Sequence, residues 1–97
     1  MDNFTWLEHW YSRQCNGDWE HQYGIHIDTI DNPGWKVKIN LNATRYAELP
    51  NVEIKEEYES DSEWMICKVV DGVFEGYGGP LKLGPIIQTF RRWIDEF

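Results

Sequence analysis

Residues 23–41 read YGIHIDTIDNPGWKVKINL, and this stretch decides the fold class. Tyr23, Ile25 and Ile27 alternate with His26 and Asp28, the period of two that sends successive side chains to opposite faces of a strand. Asp31-Asn32-Pro33-Gly34 is turn chemistry, because proline presets φ and glycine accepts positive φ. Trp35, Val37, Ile39 and Leu41 then alternate with Lys36, Lys38 and Asn40. Two such strands around a tight turn make an antiparallel hairpin. Trp35, first on the apolar side of the second strand, is expected to be substantially buried beneath a helix.

On the N-terminal side, Phe4, Leu7 and Tyr11 with Trp6 and Trp10 fall at helical intervals between Asn3 and Gln14, leaving Glu8, Ser12 and Arg13 outward. Thr5 and Glu8 have capping-box spacing, Asn3 is an equal candidate N-cap, and Asn16-Gly17 predicts a stop near Cys15. On the C-terminal side, residues 42–51 have no sustained period and contain Pro50, so they read as a loop with at most one helical turn. Val52 to Glu59 and Trp64 to Val70 form a second hairpin across residues 60–63, and Asp71-Gly72 turns the chain into a fifth strand ending at Tyr77. Gly78-Gly79-Pro80 ends the sheet. Gly84-Pro85 opens a last helix with Ile86, Ile87, Phe90, Trp93, Ile94 and Phe97 on one side. The expected fold is α+β in a single domain, residues 1–97: an N-terminal helix, an antiparallel meander sheet of four to five strands, and a C-terminal helix packed on the sheet.

A chain of 97 residues supports one core, and 41% hydrophobic residues with six Trp, five Tyr and four Phe suffice to fill it. The formal charge of −8 repels phosphate backbones and anionic membrane surfaces, so direct nucleic-acid and membrane binding are disfavoured. No apolar run approaches the roughly 20 residues of a membrane span, and the first residues lack the basic and apolar regions of a signal peptide, so a cytoplasmic location is expected. Cys15 and Cys67 are too few for a disulfide scaffold and are expected as reduced thiols.

The densest polar group is Cys15, Asp18, Glu20 and His21, with His26 beyond it. The spacing C-x5-H-x4-H matches no zinc pattern, and His26 projects from the strand face opposite Tyr23 and Ile25. Only His9 and His21 could serve Cys15 as a base, and no nucleophile motif surrounds it. Gly76, Gly78 and Gly79 lack the strand-then-helix context of a phosphate cradle. Asp18 and Glu20 would act as an acid and base pair only if the loop turned both into one cleft. The competing reading is that one of them accepts backbone N–H bonds in the turn. No catalytic residue, metal or cofactor is expected.

The remaining feature is charge. Glu53, Glu56, Glu57, Glu59, Asp61 and Glu63 stand against Lys55 alone, a net −5 of the chain's −8. Strict alternation sends Glu53, Lys55, Glu57 and Glu59 to one exposed face and Val52, Ile54, Glu56 and Tyr58 to the other. One reading is a solvated face partly matched by Lys36 and Lys38 across the sheet. The sharper reading is a surface for a basic partner, made by Glu53, Glu57, Tyr58, Glu59, Asp61 and Glu63, with Tyr58, Tyr46 and Trp64 as aromatic anchors.

The string Trp10-Tyr11 through Gln14-Cys15-Asn16-Gly17-Asp18-Trp19-Glu20-His21, followed by Tyr23-Gly24-Ile25 and the Asp31-Asn32-Pro33-Gly34-Trp35 turn, resembles the immunity protein 53 family of bacterial polymorphic toxin systems. The match is most specific over Trp6 to Leu41, while residues 42–97 match as a strand pattern ending in an apolar helix. The resemblance implies a small cytoplasmic protein that binds a cognate toxin domain and blocks it without doing chemistry. An exposed edge strand is compatible with a weak homodimer, so the free chain is expected as a monomer or weak homodimer. Asp18, Trp19, Glu20, Gly34 and Trp35 match the family pattern, and a fold-maintaining role is expected for them. The acidic hairpin lies outside that pattern, where a partner-specific surface for a toxin with a basic active site, such as a nuclease, would sit. Two other readings stand beside this one: a small-ligand or enzymatic domain using Asp18, Glu20 and His21, and a generic acidic interaction module.

Overall fold

The computed structural model describes residues Met1–Phe97. The apolar spacing of the N-terminus gives α1 (Asn3–Gln14). Its cap is Asp2, not Asn3 or Thr5: the Asp2 carboxylate accepts the Thr5 N–H at 2.8 Å and the Thr5 hydroxyl at 2.9 Å. A carboxylate there also meets the positive end of the helix dipole. α1 ends at Cys15, and Gly17 takes the left-handed conformation (φ 93°) that turns the chain back.

The polar stretch that follows holds a single helical turn, α2 (Trp19–Gln22), which periodicity could not reveal. The hairpin is β1 (Ile25–Ile30) and β2 (Gly34–Asn40), with Ile25 opposite Ile39 and Ile30 opposite Gly34. Residues 41–51 run as successive turns whose Tyr46 and Leu49 pack on the core. Then come β3 (Val52–Tyr58), β4 (Trp64–Val70) and β5 (Val73–Gly78), joined by the hairpin at 59–63 and the Asp71-Gly72 turn. The last helix, α3, spans Leu83–Ile94. Phe97 falls beyond it, 54% exposed, with its ring edge-on to Trp93 at 5.3 Å.

All five strands form one antiparallel open sheet, so the α+β class and the order of elements are as expected. The meander holds only for β3, β4 and β5. The sheet order is β1-β2-β5-β4-β3, so β2 pairs with β5 and the 41–51 connection carries the chain across the sheet end to the far edge. Burial explains the choice. β2 and β5 both put apolar residues on the helix side, whereas β3 is charged along most of its length and suits an edge.

The core lies between the sheet and the helices. Val37 and Ile39 of β2, Phe74 of β5, and Met65, Cys67 and Val69 of β4 share the covered face. Ile86, Ile87, Phe90, Trp93 and Ile94 of α3 press on it, as Leu7 and Trp10 of α1 do. Gly76 makes that docking possible, since a Cβ there would come within 2.3 Å of Ile86 Cγ2. Gly79 is held differently, its Cα facing the Ser62 backbone of the β3-β4 hairpin too closely for a Cβ. Arg91 ties the helices together: its guanidinium donates to the Met1 carbonyl at 2.9 Å and lies over the Trp6 ring. Trp35 is only half-buried, against expectation. It sits at the end of β2 opposite Gly78, where its indole N–H donates to the Pro80 carbonyl at 2.9 Å, so the connection into α3 covers it in part.

The other face of the sheet carries no helix. Lys36, Lys38, Glu75, Tyr77, Trp64, Ile66 and Lys68 lie there, all half-buried by one another. No helix is long and apolar enough to cross a membrane.

Candidate partner-binding surface

The motif between α1 and β1 is occupied with holding itself together. Asn16 Oδ1 accepts the backbone N–H groups of Asp18 and Trp19, both at 3.0 Å. Glu20 reaches back, its two carboxylate oxygens accepting the N–H groups of Asn16 at 2.9 Å and Gly17 at 2.8 Å. The two side chains cap the turn reciprocally, a variation on the capping box. Backbone N–H groups, its own first and then those of Asn16 and Gly17, hold the Glu20 carboxyl below its ordinary value of 4.5. A group depressed on folding stabilises above its unfolded pKa and loses that contribution as pH falls through its folded one. Glu20→Gln should therefore show a shallower loss of melting temperature than the native chain on acidification below about pH 4.5, read from thermal scans at stepped pH.

The product of this cap is the placement of Trp19. Its side chain is fully buried, donates its indole N–H to the Asn40 carbonyl at 3.2 Å, and stands edge-on to Trp10 with ring centroids 5.9 Å apart. Gly34 is equally structural: a Cβ there would lie 2.2 Å from the Gly78 carbonyl oxygen, so only glycine lets β2 and β5 close at this end. Asp18 and His21 are exposed and line no concavity with Glu20. Cys15 donates its thiol to the Tyr11 carbonyl at 3.3 Å, and His26 Nε2 lies 3.1 Å from the Tyr23 carbonyl. No three His, Cys, Asp or Glu side chains are close enough to share an ion. Cys67 lies under α3, where burial pushes its thiol up to about 12.

The acidic hairpin is exposed, but its faces differ from strict alternation. A β-bulge between Glu53 and Lys55 shifts the register, so that Glu53 opposes Lys68 while Lys55 and Glu57 oppose Cys67 and Met65 on the helix side. Ile54 also packs toward the core on that side. Glu53, Glu56 and Tyr58 therefore share the open face, and the grouping of Glu53 with Lys55 and Glu57 does not hold. Lys36 and Lys38 do not match this hairpin either. They lie on β2, opposite Asp28 and Tyr77, and His26 and Glu75 respectively, with β5 and β4 between them and β3.

Two ion pairs engage part of the acid. Lys82 Nζ lies 3.0 Å from Glu63 Oε2, which raises the Lys82 pKa, and Lys55 Nζ lies 4.0 Å from Glu57 Oε2. Glu53, Glu56, Glu59 and Asp61 have no ion-pair partner. Tyr58, 67% exposed, donates its hydroxyl to Asp61, and that bond raises its own pKa above 10. Tyr58, Asp61 and Trp64 line a hollow of about 390 Å³, together with Asn32 of the β1-β2 turn. Tyr46 stands apart from it, half-buried against Trp10 and under Arg45. Of the aromatic anchors expected beside the hairpin, Trp64 thus stays with Tyr58, and Tyr46 leaves the group. Tyr77, Ile66 and Lys68 extend the same face. The strict alternation of β4 and β5 carried that signal, once their covered residues were known.

An arrangement of this kind presents carboxylates and one protruding aromatic at the edge of a rigid sheet. That suits recognition of a positively charged surface. No curated protein and no solved structure shows significant similarity to the chain. The profile described as immunity protein 53 matches residues 4–95, which takes in α1, the Trp19 cap, the whole sheet and α3. The chain belongs to the immunity protein 53 family.

Proposed function

We propose that this chain, acting as one domain in the cytoplasm, binds a cognate toxin domain and neutralises it by steric and electrostatic occlusion, with no chemistry of its own. One observation carries the reading: in a member of an immunity-protein family, the β3 edge and its hairpin tip display four carboxylates without ion-pair partners around an exposed tyrosine. Unpaired surface carboxylates repel one another and contribute little to a fold, but they accelerate encounter with a basic site. The toxin surface that fits is basic, as in an enzyme that binds nucleic acid. The family motif maintains the fold, and the contact surface is Glu53, Glu56, Tyr58, Glu59 and Asp61, with Glu57 and Glu63 at its margin through their lysine pairs.

The test is association kinetics with the cognate toxin domain. Reversing Glu56 and Glu59 to Lys should slow association and flatten its dependence on salt while leaving the fold intact. Each close pair that becomes desolvated in the complex is worth about 1.5 kcal/mol or more, against less than about 1 kcal/mol for a pair left at a wet rim. Reversing Glu8 on α1 and Asp18 before α2, both exposed and sharing no hollow with β3, changes net charge identically away from the hairpin. Equal slowing by the two double variants would make global charge responsible and remove the hairpin from the interface.

A further inference from the structure

The two free edges of the sheet are treated differently. β3 is bulged and acidic, which discourages pairing with a like strand, whereas β1 is regular, carries only His26 and Asp28 as ionisable groups, and leaves Ile27 40% exposed on the helix side. The hydrogen bond from Asn40 N–H to the Gly24 carbonyl, 3.1 Å, fixes which backbone groups of β1 are used. It makes Gly24 and Asn40 a hydrogen-bonded pair, so in the antiparallel register His26, Asp28 and Ile30 also turn their N–H and C=O toward β2. Ile25, Ile27 and Thr29 turn theirs outward, unpaired.

We propose that this edge pairs with β1 of a second copy of the chain, about a two-fold axis at Ile27. The pairing is independent of toxin binding. In that register Ile27 exchanges both backbone hydrogen bonds with its own symmetry mate, and Ile25 does so with Thr29 of the other copy. The flanking residues then meet in complementary fashion, His26 against the other copy's Asp28 and the reverse, on the open face. Ile27 covers Ile27 on the helix side. A shift of one residue would set outward backbone groups against inward ones. A shift of two would set Asp28 against Asp28 in one direction and His26 against His26 in the other, so this register satisfies the backbone and also sets each His26 against an Asp28. The result is a continuous sheet of twice the width, with the helices of both copies on the same side. Strand pairing alone buries less than the roughly 1,200 Å² of a standard interface, so the dimer is weak and concentration-dependent.

Sedimentation equilibrium of the native chain from about 10 μM to 1 mM, the range in which small interfaces associate, should show the mass rising from 11.6 kDa toward its double. His26→Asp sets Asp against Asp28 twice and should weaken association about tenfold. His26→Asp combined with Asp28→His exchanges the two side chains and should restore it. Ile27→Pro removes an outward N–H that β2 does not use, so the chain should fold and remain monomeric. A native chain that stays monomeric throughout, or a dimer indifferent to Ile27→Pro and to the single reversal, would overturn the proposal. Failure of the double exchange to restore a dimer weakened by His26→Asp would overturn this register.

Discussion

Replacing Trp19 by Ala is expected to destabilise the fold by about 3–5 kcal/mol, a large share of what a domain of this size has to lose. Trp19 is fully buried at the junction of α1, α2 and β2, with Trp10 and Tyr11 against its ring. Removing it opens a cavity that the neighbouring rings cannot close, because α1 is fixed at both ends by its Asp2 cap and the Asn16-Glu20 turn. It also leaves the Asn40 carbonyl without the indole N–H. Since about 1 kcal/mol shifts the midpoint of a domain this size by roughly 4–8 °C, thermal denaturation should show a fall well above about 10 °C or no cooperative transition. Trp19→Phe keeps an aromatic ring but not the N–H, and should cost much less. A Trp19→Ala chain melting with the native one would remove Trp19 from the core and the family motif from its structural role.

The second large effect comes from one methyl group. Gly34→Ala places a Cβ 2.2 Å from the Gly78 carbonyl oxygen, an atom of a neighbouring strand that cannot rotate away. β2 and β5 must separate at this end of the sheet, and the expected cost is about 3 kcal/mol, the upper end of the usual range for overpacking. Gly84→Ala is the matched control. A Cβ at Gly84, in the first turn of α3, meets no atom within 4 Å beyond its chain neighbours, so the same methyl should cost no more than about 1 kcal/mol, set by the helical conformation it must hold before Pro85. Chemical denaturation should lower the midpoint far more for Gly34→Ala than for Gly84→Ala. Equal shifts would mean that lost glycine flexibility, and not strand contact, decides both.

The elements whose physics is local were legible in the chain. The Asp31-Asn32-Pro33-Gly34 turn, the alternation from Trp35 to Leu41 and the apolar stripe of α3 each predict a structure that neighbouring residues are sufficient to build. α1 was readable to its ends for the same reason, although its cap, Asp2, lay one residue before the nearer expected candidate, Asn3. What escaped depends on residues distant in sequence or on bonds that no period reports. α2 is too short for a period and exists because Asn16 and Glu20 close it from both sides of the turn. The place of β5 beside β2 is set by burial on both strands, which no turn signal reveals. The candidate surface divides along the same line. That the second hairpin is exposed and acidic follows from composition, but which carboxylates face together depends on the bulge at Glu53 and Lys55, and a bulge leaves no mark in an alternating string of Glu and Lys. The Asp18, Glu20 and His21 group keeps a chemical reading beside the structural one in sequence for a similar reason: a polar cluster does not disclose which carboxylate accepts the backbone N–H groups, and it is Glu20 that does, from Asn16 and Gly17.

Neutralisation by occlusion is tested most directly by titrating the toxin domain's activity against this chain. With the toxin held well above the dissociation constant, residual activity should fall linearly and reach its floor at a fixed molar equivalence, and full activity should return when the complex is separated under denaturing conditions and the toxin is refolded. An occluding protein is consumed one for one. Complete loss of toxin activity at a small fraction of an equivalent, persisting after the chain is removed, would show turnover and contradict occlusion.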